Sequence, residues 1–129
     1  MRWHIGLMTG TVLDGNIDVA LLRTDGQIIE EFGYYNLIPY DEEVKDLLIK
    51  AIDEARIWNF NGPEPELFSK TEAALTNSQI AAVQKCIKLS GLDKNKIGAI
   101  GFHGQTVLHK PPSKSSKGKT RQLGDGQKM

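Results

Sequence analysis

Cysteine is nearly absent from this sequence, and long apolar runs are absent altogether. The single cysteine, Cys86, cannot form a disulfide within the chain. It lies among apolar positions of a predicted helix, away from any activating base, which predicts a buried structural thiol. No stretch approaches the roughly 20 apolar residues of a membrane span, and the first residues lack the pattern of a secretory signal. We therefore expect a reducing, cytoplasmic setting without membrane contact.

Net charge is absent too. Sixteen basic residues balance sixteen acidic ones, so the chain lacks the overall field that would draw it to nucleic acid, and we expect no such partner. The charge is uneven, with acids at 41–46 and a basic end from Lys110 onward. With 129 residues, 40% of them hydrophobic, the chain is long enough for one domain with its own core.

The first forty residues carry strand signals. An apolar run at 4–8 meets a cluster of Gly, Thr and Asp, which predicts a buried strand entering a tight loop. A second strand at 17–22, turn residues at 24–27 and a third strand at 28–32 predict a β-hairpin. The first loop therefore lies between two strands, and not between a strand and a helix.

Two helices separated by a Pro-containing breaker are predicted next. Apolar residues recur every three or four positions across 44–55, with Asp41 placed as an N-cap. A second apolar face spans 67–82, and Ser90-Gly91 would end that helix. The polar cluster Thr76-Asn77-Ser78 is compatible with a kink in this second helix.

The last third of the sequence combines strand and loop signals. Residues 97–102 predict a short buried strand that runs into a polar motif. The Lys- and Ser-rich segment 112–119 predicts a mobile, solvated loop, with attraction of phosphate as the alternative.

The stretch 6–18 is the first that could carry chemistry. Its glycines allow successive amides to point at phosphate oxygens, and the hydroxyls of Thr9 and Thr11 add donors. Asp14 and Asp18 would repel bare phosphate, so at least one is expected to act through magnesium or bound water. A glycine-rich turn with aspartate caps is the alternative. The stretch lacks the signatures of a P-loop and of a dinucleotide fold.

A second motif occupies 101–111. His103 and Gln105, separated by a glycine, can hydrogen-bond sugar hydroxyls and an N-acetyl group. Taken alone, His103 is equally consistent with a structural histidine, and His109 is predicted to lie on the surface. Metal ligation by the two histidines is disfavoured because no cysteine or carboxylate nearby completes a set.

A third motif, at 120–126, places Asp125 between two glycines, which suits a tight turn facing a ligand. Asp-Gly turns are common, so this motif is weak by itself. Because all three motifs follow an apolar, strand-like run, together they predict one shared cleft.

In this order the three motifs resemble those of the anhydro-N-acetylmuramic acid kinases. That family carries Gly-x-Met-Ser-Gly-Thr-Ser-Leu/Met-Asp-Gly, then Gly-x-His-Gly-Gln-Thr-Val-x-His-x-Pro, then Gln-x-Gly-Asp-Gly. Here the motifs stand at Gly6–Gly15, Gly101–Pro111 and Gln122–Gly126. The resemblance implies an α/β fold of the actin-like, sugar-kinase and Hsp70-type ATPase class (ribonuclease H-like), with a mixed sheet, flanking helices and an incomplete lobe.

The resemblance also implies a reaction, the ATP-dependent phosphorylation of 1,6-anhydro-N-acetylmuramic acid in peptidoglycan recycling. Water attacks the anomeric carbon, the anhydro bridge opens, and the freed 6-oxygen takes the γ-phosphoryl group to give N-acetylmuramic acid 6-phosphate. ATP and Mg²⁺ are the implied cofactors, and the sugar is the implied small-molecule partner. The residues implied at the ATP phosphates are Gly10, Thr11, Val12, Leu13, Asp14, Gly15, Asn16, Ile17 and Asp18, with Asp14 near Mg²⁺. Those implied on the substrate side are His103, Gly104, Gln105, Thr106 and Asp125.

The implied organisation of residues 1–129 is the N-terminal part of one kinase lobe. It comprises a nucleotide-phosphate hairpin (6–18), a helical segment (41–90), a substrate-side motif (98–111) and the mobile basic loop (112–119). We expect the second lobe and the family's catalytic aspartate to lie beyond Met129, so that this chain contains no catalytic residue and has no turnover alone.

The sequence departs from the family pattern at several places: Thr9 replaces the usual serine but keeps a hydroxyl, and the segment 113–119 is longer than the family norm. Val12 replaces a serine and removes a hydroxyl, and Asn16 is an extra residue that can shift the alignment of Asp18 by one. Two other functions stay open, another sugar kinase of the same superfamily and a non-catalytic binding module. A homodimer that completes an exposed sheet edge also stays open.

Overall fold

A computed structural model of the chain describes residues 1–9 and 14–129. Its elements form a mixed α/β unit, and a single 3-10 turn (Lys94–Lys96) precedes the fourth strand. The strands and helices are β1 (Arg2–Met8), β2 (Asn16–Thr24), β3 (Ile29–Pro39), α1 (Glu42–Trp58), α2 (Leu67–Ser90), β4 (Ile97–Gly101), β5 (Gln105–Lys110) and β6 (Lys119–Leu123).

Four strands form a mixed sheet in the order β3-β2-β1-β4. β1 is antiparallel to β2 and parallel to β4, and β2 is antiparallel to β3. The parallel pair needs a long crossover, which the two helices provide. The predicted mixed sheet, the flanking helices and the loop between two strands are confirmed.

The sheet has one buried face. Ile5 and Leu7 of β1 and Val19 and Leu21 of β2 point into the core, whereas Met8 is 58% exposed. The buried strand predicted at 4–8 is therefore buried only at alternate residues, because the helices cover one face of the sheet. The prediction of a buried strand at 97–102 was wrong, because β4 is an edge strand with Gly98, Ala99 and Gly101 exposed.

β3 is longer than the predicted strand at 28–32. It pairs with β2 as far as the Asn16–Pro39 register. Tyr34, Asn36 and Ile38 alternate as its half-buried residues, and Phe32 is 76% exposed. Its second half was missed although Tyr34, Leu37 and Ile38 suit a strand, because Gly33 and Asn36 interrupt the pattern.

The helices follow the predicted apolar periodicity. Asp41 occupies the N-cap position of α1 with extended backbone but forms no capping bond with its side chain. α2 continues through 76–78 as one helix and ends at Gly91, whose φ is +71°. Cys86 is fully buried in α2, as predicted. Within the part of the chain that the structure describes, no helix is both long and apolar enough to cross a membrane.

β5 and β6 form a separate antiparallel hairpin. The segment predicted as the loop 112–119 links them, but Lys119 already belongs to β6, where it pairs with Lys110. The other end of the hairpin, at Gln105 and Leu123, brings the second and third motifs side by side.

Candidate functional site

The first motif begins at the end of β1 and re-enters the sheet at β2. Of its predicted phosphate-binding residues, Gly10, Thr11, Val12 and Leu13 lie outside the residues described. Gly15 has a φ of +84°, and its carbonyl oxygen accepts a 2.7 Å bond from the backbone N–H of Tyr40. This hydrogen bond links the segment just before β2 to the segment just before α1.

A buried hydrogen bond joins the first motif to the second. The Thr9 hydroxyl donates to the carbonyl oxygen of Gly104 at 3.0 Å, and Thr9 is 3% exposed. Because a buried hydroxyl needs a partner, this bond fixes the end of β1 against the turn before β5.

Two glycines allow the second and third motifs to touch. Gly104 has a φ of +70°, and a Cβ there would overlap the carbonyl oxygen of Leu123. A Cβ at Gly124 would lie 2.8 Å from Cζ of Phe102 and 3.1 Å from Cα of Gly104. The three motifs thus converge through Thr9, Gly104 and Gly124, since no side chain fits between the two glycines.

α2 holds the third motif from behind. The backbone N–H of Gly124 donates to Oε1 of Glu72 at 2.9 Å, and that of Asp125 donates to the Thr76 hydroxyl at 3.1 Å. Thr76 is fully buried. Sequence reasoning missed both roles and treated Thr76 only as part of a kink; a polar residue on a buried helical face was the available signal.

The substrate-side residues differ in exposure. His103 is exposed and Thr106 is half-buried, whereas Gln105 is 3% exposed. The Gln105 amide nitrogen donates to the carbonyl oxygen of Thr106 at 3.2 Å. Its amide oxygen is buried and has no partner among the described residues. A buried acceptor of this kind favours a donor from a ligand or from an adjacent segment. His109 is exposed and bonded to Thr120, as the surface prediction had it.

The Asp125 carboxylate forms hydrogen bonds within the turn that follows it. Its carboxylate Oδ1 accepts bonds from the backbone N–H groups of Gln127 at 3.1 Å and Lys128 at 3.3 Å. This arrangement is an Asx-type turn, so part of the carboxylate is structural. The residue is exposed, and its other oxygen is not engaged by the described residues.

The two aspartates of the first motif have separate environments. Asp14 is exposed, and its Oδ1 accepts a 2.9 Å bond from the backbone N–H of Asn16. Asp18 accepts a 2.9 Å bond from the Tyr35 hydroxyl, which raises the pKa of that phenol. Among residues 1–9 and 14–129, no three His, Cys, Asp or Glu side chains converge as a ready metal cage.

Tyr40 lies buried behind the first motif. Its hydroxyl accepts a 2.9 Å bond from the Gln79 amide of α2. Burial raises the pKa of Tyr40, the Gln79 bond opposes that rise, and the negative charge of Asp14 adds to it.

Comparison with known proteins identifies the family of this chain. The sequence profile of the anhydro-N-acetylmuramic acid kinase family matches residues 2–129. A protein named anhydro-N-acetylmuramic acid kinase from Rhizobium rhizogenes is 58% identical over 127 residues. Proteins with that name from Brucella anthropi and, as a second form, from Jannaschia are 59% and 54% identical.

The match covers nearly all of this chain but only part of each relative. The alignments with the Rhizobium and Brucella proteins span 98% of this chain and 34% of theirs. The chain therefore spans about a third of the length of the curated relatives it matches. Since the family profile extends over essentially the whole sequence, this chain belongs to the anhydro-N-acetylmuramic acid kinase family.

Proposed function

We propose that the complete gene product phosphorylates 1,6-anhydro-N-acetylmuramic acid with ATP and yields N-acetylmuramic acid 6-phosphate. The observation that supports this proposal most is the hydrogen bond between Thr9 and Gly104, because in a member of this family it joins the start of the first motif to the His-Gly-Gln-Thr motif. A kinase needs its phosphate-binding and acceptor-binding groups side by side.

In this proposal the chain forms part of an actin-like, sugar-kinase type ATPase lobe. Residues 6–18 face the nucleotide phosphates, and 98–111 face the sugar. The strand–loop–strand opening and the mixed sheet support the assignment. The segments 41–90 and 112–119 are a supporting scaffold and a solvated loop. A cytoplasmic setting is included because ATP and reducing conditions for the Cys86 thiol occur there.

The proposed phosphate groups are Gly10 to Asp18, with Asp14 as the carboxylate toward Mg²⁺. Magnesium in phosphoryl transfer is usually held by one or two carboxylates together with phosphate oxygens. An exposed Asp14 with one oxygen outside its local turn fits that donor set. When bound, Mg²⁺ would neutralise charge on the transferring phosphoryl group.

The proposed sugar-side groups are His103, Gly104, Gln105, Thr106 and Asp125. The unpartnered amide oxygen of Gln105 can accept a hydrogen bond from a sugar hydroxyl or from the N-acetyl N–H. His103 is exposed and can exchange hydrogen bonds with hydroxyl groups. These groups orient the sugar, and we assign the general base that activates water to a segment outside residues 1–129.

The test is turnover by the complete gene product in ¹⁸O-labelled water. We expect ATP-dependent formation of a product heavier than the anhydro sugar by one phosphoryl group and one molecule of labelled water, with the label at the anomeric carbon. The 129-residue chain, assayed in parallel, should show no turnover. Phosphorylation of other sugars but not of the anhydro sugar would support another kinase of the superfamily. Binding without any turnover would support a non-catalytic module, and either result would overturn the proposal.

A further inference from the structure

Lys45 of α1 lies against the loop that carries the first motif. An ideal Cβ built on Gly15 would be 3.4 Å from Cδ and from Cε of Lys45 and 3.5 Å from Nζ. These are ordinary van der Waals separations, so the lysine stem and its ammonium group lie across the space left by the missing side chain of Gly15. The φ of +84° is what favours a glycine at this position.

The ammonium group of Lys45 supplies a positive charge, which the loop itself does not have. Residues 6–18 contain two aspartates and no lysine or arginine. A site with that composition repels polyphosphate unless cations are supplied from elsewhere. Lys45 is the basic side chain that α1 brings to the described part of this loop.

The placement of Lys45 is not explained by an ion pair or by helix stability. Within the described residues, its ammonium group has no carboxylate within ion-pair distance. It stands in the first turn or two of α1, where the helix dipole disfavours a positive charge and where Glu42 and Glu43 are the expected residues. A half-buried lysine beside this loop, with no carboxylate partner among the described residues, points to an anionic partner outside the protein chain.

We propose that Lys45 contacts the phosphate chain of the bound nucleotide. The inference rests on the proposed kinase function and adds a phosphate contact from α1 to those of the loop. Lysine suits this role because it offers three donors and a compact charge on a flexible stem. Backbone amides orient the phosphates, while Lys45 and Mg²⁺ together offset the charge of the two aspartates.

The test compares nucleotide affinity in the complete gene product with Mg²⁺ present, using calorimetry with ATP and with adenosine. Lys45→Met keeps the apolar stem and removes the charge. We expect ATP to bind about 10- to 100-fold more weakly, as for loss of one charged hydrogen bond. Adenosine affinity should not change, and Lys45→Arg should recover most of the ATP affinity. Lys50→Met is the matched control, since Lys50 is an exposed lysine of the same helix.

A second measurement needs no variant. Acetylation of Lys45 in the unaltered protein, read by mass spectrometry, should be slowed by ATP and not by adenosine. Wild-type ATP affinity in Lys45→Met, or equal loss of ATP and adenosine binding, would overturn the proposal, and so would acetylation that ATP does not slow. If the unaltered protein binds ATP but does not phosphorylate the anhydro sugar, the proposed function is wrong. The affinity and acetylation measurements then still test whether Lys45 contacts the phosphates.

Discussion

The Thr9 hydroxyl and the Gly104 carbonyl oxygen share a buried 3.0 Å hydrogen bond although 95 residues separate them. One partner directly follows the first strand of the sheet, and the other directly precedes the β5–β6 hairpin. This single contact therefore links the mixed sheet to the separate hairpin. A substitution at Thr9 or at Gly104 should therefore destabilise both the sheet and the hairpin.

Replacing Thr9 by valine should destabilise the chain by about 1–3 kcal/mol. The substitution keeps the shape of the side chain but leaves the buried Gly104 carbonyl without its donor. Urea unfolding would measure the free energy, with Thr9→Ser as the control that keeps the hydroxyl. Equal stability of the valine variant and the unaltered chain would mean that this bond contributes nothing.

Gly104 should tolerate alanine far less well than Gly26 does. Both have positive φ, at +70° and +93°, but nothing lies within 4 Å of a Cβ at Gly26, whereas a Cβ at Gly104 would overlap Leu123. Gly26→Ala should cost only the left-handed penalty of about 1–2 kcal/mol. Gly104→Ala adds steric overlap, for a total of about 3 kcal/mol or more. Thermal unfolding of the two variants side by side tests this order, and similar losses would contradict it.

Thr76→Val should release the third motif. The variant removes the acceptor of the Asp125 N–H while it keeps the buried volume in α2. We expect a loss of about 1–3 kcal/mol, together with faster hydrogen exchange of the Asp125 amide. Thr76→Ser retains the acceptor and should preserve the slow exchange. Unchanged exchange in the valine variant would show that the turn does not depend on α2.

Alkaline pH should unfold the chain in part through Tyr40. Burial raises the pKa of this phenol above its ordinary value of 10.0. The neutral form is therefore favoured in the folded state, and its contribution to stability is complete below pH 10 and is lost as the pH rises through the folded pKa. Burial raises the pKa of the Cys86 thiol above 9.0 and acts in the same direction.

The measurement is urea unfolding at a series of pH values above 9, with ultraviolet absorbance to follow tyrosinate. Tyr34 and Tyr35 are the other two tyrosines, and Tyr40 should titrate only as the chain unfolds. Tyr40→Phe should flatten the loss of stability above pH 10. An equally steep loss in that variant would assign the effect to other groups.

The local patterns of the sequence predicted the elements well where one face is strongly apolar. The spacing of Val44, Leu48, Ala51 and Ala55 matches the buried face of α1. The second half of β3 was not predicted because Gly33 and Asn36 interrupt a segment that otherwise has strand-forming residues. Open faces also explain why β1 and β4 are less buried than their composition suggested.

The residues that hold the candidate site in place could not be predicted from local sequence patterns. Glu72 and Thr76 act on residues 52 and 49 positions away, and Lys45 lies against Gly15 from a different element. Such contacts depend on how α1 and α2 pack. The motifs themselves were visible because glycine and polar residues follow apolar runs. The residues that hold them resemble ordinary helix surface or core.

The parallel pairing of β1 with β4 has a consequence for the order in which the molecule is made. Ile5 pairs with Ile100, and the Thr9 hydroxyl bonds to Gly104. One edge of β1 and the Thr9 hydroxyl therefore have no partner until β4 and Gly104 have been synthesised. Contacts so distant in sequence form slowly and leave strand edges exposed meanwhile. Thr9 therefore lacks its hydrogen-bond partner until Gly104 has been synthesised, whereas Gly15 can already bond to Tyr40 much earlier.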